Sequence, residues 1–204
     1  MLDISATDDY TASLTGEPFL FNETKTMAEY YLQGATIDEL RHRNLTENLI
    51  RYKSPKAIQR VNTPIFRRIK VMSQDMLEAF ANSNAMIGKT ILLCAIMKTD
   101  RLVRDFIRDL YYEKLVLGKD CVEQYEINNW FEQKIADSEK LSKVSQKTQY
   151  KLRQVMTKIM KDSGLYTEEN SKYRVNILAE SDTLRKLFTG TEDEEYFKLL
   201  GGKI

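Results

Sequence analysis

The chain has 204 residues, with 31 Lys and Arg against 30 Asp and Glu, one His and two Cys. That length holds one ordinary domain or two small ones with separate cores, and 42% hydrophobic with 30% charged residues describes a folded chain rather than a disordered one. One imidazole excludes a His-based metal cage, and Cys94 and Cys121 form neither a CxxC pair nor a disulfide framework, so both are expected reduced, as in a cytosolic protein.

From the N-terminus, Met1-Leu2-Asp3-Ile4-Ser5 lacks the basic and apolar regions of a signal peptide, and residues 1–21 read as an acidic, irregular arm. A first helix is predicted from an Asn22 cap to Gly34. Thr36-Ile37-Asp38-Glu39 is a capping box that opens a second helix over 37–48. Ser54-Pro55 opens a third, running to about Met72 with a kink at Pro64. Ser73, Asn84 and Asp100 are further caps, the last for a helix over 102–117 that Gly118 stops. Within this region 86–97 is strongly apolar, but it carries Lys89 and falls short of the ~20 residues of a membrane span, so it reads as a core helix. A helix over 122–136 and a polar turn follow. Ser145 then caps a long helix over 146–163, closed by Gly164. Residues 165–177 have strand-forming ends and a turn-forming middle, and 180–200 hold two short helices.

The pattern specifies a mainly α protein, a helical bundle with helix-turn-helix elements and a small C-terminal β-hairpin wing. Its expected division is an N-terminal helical domain over 1–118, with a helix-turn-helix-like unit at 36–72, and a winged-helix-like domain over 119–204.

Charge is segregated along this chain although the total is +1. Residues 41–70 hold nine basic side chains and one acid, and residues 140–161 hold seven basic side chains and no acid. On the third helix Ile58, Val61, Ile65 and Ile69 make an apolar stripe, with Lys56, Arg60, Thr63, Arg67 and Lys70 opposite. On the long helix Leu152, Val155, Met156 and Ile159 face inward, and Lys147, Lys151, Gln154, Lys158 and Lys161 form a second face. A stripe of one sign repels itself, and phosphates neutralise it. The candidate nucleic-acid contacts are therefore Arg51, Lys53, Lys56, Arg60, Arg67, Arg68 and Lys70 around the third helix. Lys143, Lys147, Lys151, Arg153, Lys158 and Lys161 on or beside the long helix join them, with Lys172 and Arg174 on the wing. Arg60, Arg67 and Arg153 have the forked geometry that reads guanine edges. A solvated lysine-rich surface, or pairing with an acidic arm over 1–40 or with 120–139, is the competing reading.

Catalytic and cofactor patterns do not form. Gly88-Lys89-Thr90 matches the tail of a phosphate-binding loop, but Ser83 stands where the first glycine belongs and no strand precedes it. Glu113-Lys114 and Glu132-Gln133-Lys134 lie on predicted helices, away from the strands and extra acid of a metal-dependent nuclease. His42 sits between Arg41 and Arg43 with no nucleophile assigned to it. No catalytic residue, metal or cofactor is expected.

Three segments carry a family resemblance: residues 13–25, SLTGEPFLFNETK; residues 52–60, YKSPKAIQR; and residues 95–118, which begin AIMKTDRL and end YEKLVLG. In these the chain resembles the BrxA family of BREX bacteriophage-exclusion systems, from about Tyr10 to Gly201. The resemblance implies a cytoplasmic, helical, non-enzymatic component of bacterial antiviral defence, encoded beside a DNA methyltransferase, ATPases and a phosphatase-like protein. It also implies nucleic-acid binding, through comparison with the RNA-binding antiterminator NusB. Double-stranded DNA is the expected partner. RNA and other BREX proteins are the alternatives, and no membrane association is expected.

Overall fold

Side-chain caps start the helices largely where the sequence places them. The computed structural model describes residues 10–179 and 181–204. Thr36 and Glu39 close their capping box, Ser54 accepts from the Ala57 amide, and Ser73 and Asn84 accept from Met76 and Ile87. Each cap satisfies an amide that the first helical turn leaves unpaired, worth about 1 kcal/mol.

One compact unit spans Leu20–Ala95. It contains α1 (Phe21–Leu32), α2 (Ile37–Glu47), α3 (Pro55–Lys70), α4 (Gln74–Asn82) and most of α5 (Ala85–Thr99). Helix α1 packs on α2, α3 and α4, and α2 packs on α3. Met27, Leu40, Ile65, Phe66 and Phe80 are fully buried between them. Each such side chain contributes about 1.5–3 kcal/mol by leaving water. One detail differs from expectation and one agrees with it. Helix α1 starts one residue before Asn22, and its N-cap is Leu20 in the left-handed region (φ 54°), with no side-chain cap bond. Pro64 lies inside α3, which runs on to Lys70, so the missing amide costs one helical bond without ending the helix.

The second unit joins the stretch ending at Phe19 to Ile96–Ile204. Here α6 (Arg101–Phe106), a π-helical stretch (Ile107–Tyr112) and α7 (Glu113–Val116) form one unbroken rod, followed by β1 (Cys121–Glu123), α8 (Gln124–Asp137) and α9 (Glu139–Ser142). Then come α10 (Gln146–Ser163), β2 (Tyr166–Glu169), β3 (Lys172–Val175), α11 (Asp182–Phe188) and α12 (Glu194–Leu199). The sheet is antiparallel in the order β1-β3-β2, with Val122 opposite Tyr173 and Glu168 also opposite Tyr173. Asn170 and Ser171 both take positive φ (49° and 62°), the geometry of a tight hairpin turn whose twist matches the strands.

This is a mainly α fold with a small wing, in the winged-helix-like order of rod, strand, helices, long helix and hairpin. By contact, the rod before Gly118 belongs to the same unit as the wing, on both sides of the expected 118/119 boundary. Phe106 meets Trp130 edge-on at 5.2 Å and tilts on Phe131 at 6.0 Å. The Tyr111 hydroxyl donates to the Asn176 carbonyl at 2.7 Å. Two further expectations are corrected. Residues 121–123 form a third strand rather than the start of a helix. The acidic arm is no arm beyond residue 10: the 3-10 turn Ser13–Gly16 packs on α10 with Leu14 buried, and residues 21–40 form α1 and enter α2. Residues 1–9 lie outside the described ones. Both cysteines are unbridged, Cys94 buried and Cys121 half-buried.

Candidate nucleic-acid interface

Helix α3 contains no acidic residue. Its inner stripe, Ile58, Val61, Ile65 and Ile69, is buried as the spacing requires, which leaves Lys56, Arg60, Thr63 and Lys70 exposed outside. Arg67 is on this outer face and half-buried. Arg68 is corrected: it is fully buried, among the largest fully buried side chains described. The reason is helical geometry, since Arg68 follows Ile65 by three residues and Val61 by seven, which turns it to the core flank.

Arg51 and Lys53 are exposed in the segment leading into α3. That segment is fixed from below. Asn44 Nδ2 donates to Asn62 Oδ1 at 2.6 Å in the core, and Asn44 Oδ1 accepts from the Ile50 amide. Asn48 Oδ1 accepts from the Tyr52 amide at 2.7 Å while its Nδ2 donates to the Tyr52 carbonyl. The Tyr52 hydroxyl donates to Glu23, and burial together with that acceptor pushes its pKa up to about 12. Arg51 is thereby held at φ 56°, a conformation that costs an L-residue energy and turns its side chain outward.

In the second unit the candidates separate into two groups. Lys147 and Lys151 are exposed on α10 and make no ion pair among the described residues. The others have acidic partners: Lys143 with Glu139 (2.5 Å), Lys158 with Asp162 (3.1 Å), Lys161 with Glu168 (2.7 Å), Lys172 with Glu123 (2.6 Å) and Arg174 with Glu169 (3.1 Å). Hydrogen bonds that Lys161 and Lys172 donate to Glu168 and Glu123 raise the pKa values of both lysines. Exposed pairs are worth about 0–1 kcal/mol each, so a phosphate can replace the carboxylate, but the displaced acid stays nearby and repels it. Arg153 is corrected: its guanidinium lies 5.8 Å from the Phe131 ring centre with Nη1 3.5 Å from Asn128 Oδ1, turned against α8 instead of outward. Uncompensated positive charge therefore gathers on α3 with its leading segment, and on the N-terminal half of α10.

A polar cluster that the sequence did not single out lies beside the π-helical stretch. The buried Asp105 carboxylate accepts from the Tyr10 hydroxyl at 2.7 Å and pairs with Arg108 (2.9 Å) and Arg101 (3.5 Å). Asp109 accepts from Trp130 Nε1 (2.9 Å) and pairs with Lys134 (3.1 Å) and Arg108 (2.8 Å). Burial pushes the Asp109 pKa up, but these three donors outweigh it and hold the carboxyl below the usual range. Lys114 pairs with Glu126, and Lys98 with the buried Asp193 at 2.6 Å. Lys98, Arg101, Arg108 and Lys114 of the 95–118 block thus tie the second unit together. Among the described residues no group of three potential metal ligands converges, and no helix is long and apolar enough to cross a membrane.

The family model described as BrxA matches residues 8–189. A BREX protein BrxA from Bacillus cereus (strain H3081.97) is 27% identical over 155 residues, 76% of this chain and 78% of that one. A second BREX protein BrxA, from Paramagnetospirillum magneticum (strain ATCC 700264 / AMB-1), is 24% identical over 98 residues, 48% and 49% of the two chains. In fold, the chain is similar to the crystal structure of an uncharacterized protein from Magnetospirillum magneticum, with a TM-score of 0.77, 17% identity, and 94% and 97% of the two chains covered.

Proposed function

The chain belongs to the BrxA family of BREX phage-defence systems, and from that premise we propose that it is a non-enzymatic, DNA-binding accessory component of such a system. It grips duplex phosphates in the cytoplasm through two basic helix faces and uses no metal or cofactor. The observation that carries this reading is the outer face of α3. Lys56, Arg60 and Lys70 stand exposed along one side of a helix without an acid, and make no ion pair among the described residues. Such a face repels itself in solution, and a row of phosphates relieves that repulsion while releasing counterions. Lys147 and Lys151 supply the second contact by the same argument.

The test is duplex binding over a salt series for the wild type, Lys56/Arg60/Lys70→Glu and Lys147/Lys151→Glu. Each variant loses affinity for every duplex, and unchanged affinity in either removes that helix from the reading. Single-stranded RNA that displaces the duplex at equal concentration replaces DNA by RNA as the ligand. A second reading, docking onto other BREX proteins, draws on the adjacent Val116 and Leu117, 66% and 55% exposed at the end of α7. Nuclease-resistant capture of those proteins, without a duplex shift at physiological salt, favours it.

A further inference from the structure

The outer face of α10 carries more than positive charge. Lys147, Tyr150, Lys151 and Gln154 fall at helical steps of three, one and three, which places them within about a third of a turn of one another. All four are exposed, Tyr150 by 61%, opposite the buried Leu152, Met156 and Ile159. Neither the Tyr150 hydroxyl nor the Gln154 amide has a hydrogen-bond partner among the described residues. Toward the C-terminus the same face changes character, because Lys158 and Lys161 are engaged by Asp162 and Glu168. Carboxylates there repel a phosphate chain, whereas the N-terminal turns carry unopposed lysines and the positive end of the helix dipole.

We infer that the N-terminal half of α10 reads A·T base pairs in the major groove, with Gln154 and Tyr150 on the base edges and Lys147 and Lys151 on the flanking phosphates. The inference rests on the duplex-binding reading above and adds base preference to it. The chemistry selects the base pair. A glutamine amide offers one donor and one acceptor side by side, which pairs with adenine N7 and N6 together, whereas guanine N7 and O6 both accept and leave the amide oxygen without a donor. An aromatic ring gains apolar contact with the thymine methyl, a group that G·C pairs lack. Arginine, whose fork reads guanine, is absent from this face because Arg153 is turned to Phe131, and α10 has no acid before Asp162 to accept from cytosine. Gln154 lies one turn beyond Tyr150, about 6 Å along the axis, so the two reach neighbouring base pairs.

Three duplexes of equal length test this: one A·T-rich, one G·C-rich, and the A·T-rich one with uracil in place of thymine, which differs by the methyl alone. The wild type binds the A·T duplex about tenfold tighter than the G·C duplex, and uracil weakens binding about fourfold. Tyr150→Ala removes the thymine–uracil difference, and Gln154→Ala removes most of the A·T preference. Both are exposed positions, so helical circular dichroism stays unchanged. Lys147→Gln and Lys151→Gln weaken all three duplexes equally. Equal wild-type affinity for the three duplexes, or a thymine–uracil difference that survives Tyr150→Ala, overturns the inference and leaves phosphate gripping standing. Failure to bind any duplex overturns both.

Discussion

The Asn44–Asn62 pair holds the segment that presents Arg51 and Lys53, and its removal has a calculable cost. Asn44 is fully buried and Asn62 is 5% exposed. Asn44→Ala leaves Asn62 Oδ1 buried without its 2.6 Å donor and the half-buried Ile50 amide without its 3.3 Å acceptor. An orphaned buried polar atom costs about 1–3 kcal/mol. Taking about 2 for the first group and about 1 for the second gives about 3 kcal/mol. Asn62→Ala strands the Asn44 amide in turn, at about 2 kcal/mol. The double variant removes donor and acceptor together, so its cost falls short of the sum by about 1–2 kcal/mol. Hydrogen exchange of peptides over 37–70 measures all three: protection falls in both single variants, and the cycle shows the coupling. Strict additivity, or single variants exchanging like the wild type, refutes the reasoning that this pair anchors the segment.

Two more outcomes follow from the second unit. Asp109, held below its usual range by Arg108, Trp130 and Lys134, contributes stability that is present above the unfolded pKa of about 4 and is lost as pH falls through the lower folded value. Asp109→Asn therefore loses this dependence below about pH 4, read by the fluorescence of the single Trp130, and superimposable wild-type and variant acid profiles count against the network. Gly164 closes α10 at φ 91° with open space around its Cα, so Gly164→Ala costs about 1–2 kcal/mol from backbone strain alone, measurable by urea denaturation; a neutral effect contradicts that assignment.

Helix starts were legible because each cap is a short, local signal: Thr36 with Glu39, Ser54 before Pro55, Ser145 before α10, and Gly164 after it. The hairpin was legible for the same reason, its turn-forming centre lying between strand-forming ends. Strand β1 was not, since three residues, Cys121–Glu123, gain their extended form only by pairing with β3 some fifty residues later. The π-helical stretch Ile107–Tyr112 was equally invisible, because its residues have ordinary helical propensity and its register is set by packing. Gly118 ends a helix in the sequence, whereas the Tyr111 bond to Asn176, some sixty residues on, becomes visible only in the fold.

At the interface, charge segregation was legible and charge availability was not. Spacing alone separates Lys56, Arg60 and Lys70 from Arg68, whose place on the flank of the apolar stripe is computable from the sequence. Lys158, Lys161, Lys172 and Arg174 required the structure, because three of their four acidic partners, Glu168, Glu123 and Glu169, come from other turns or strands. Tyr150 carries no charge, so its place beside Lys147 and Lys151 is legible only from helical spacing.

The measurement that bears most directly on phosphate gripping is the salt slope of duplex binding by the wild-type chain. Five exposed cations on helix faces that make no ion pair among the described residues, Lys56, Arg60, Lys70, Lys147 and Lys151, with Arg51 and Lys53 beside them, set a slope of log K against log salt between about −4.5 and −6.3. Each Lys→Gln substitution among them lowers its magnitude by about 0.9. A slope near zero, or one that ignores those substitutions, contradicts the account.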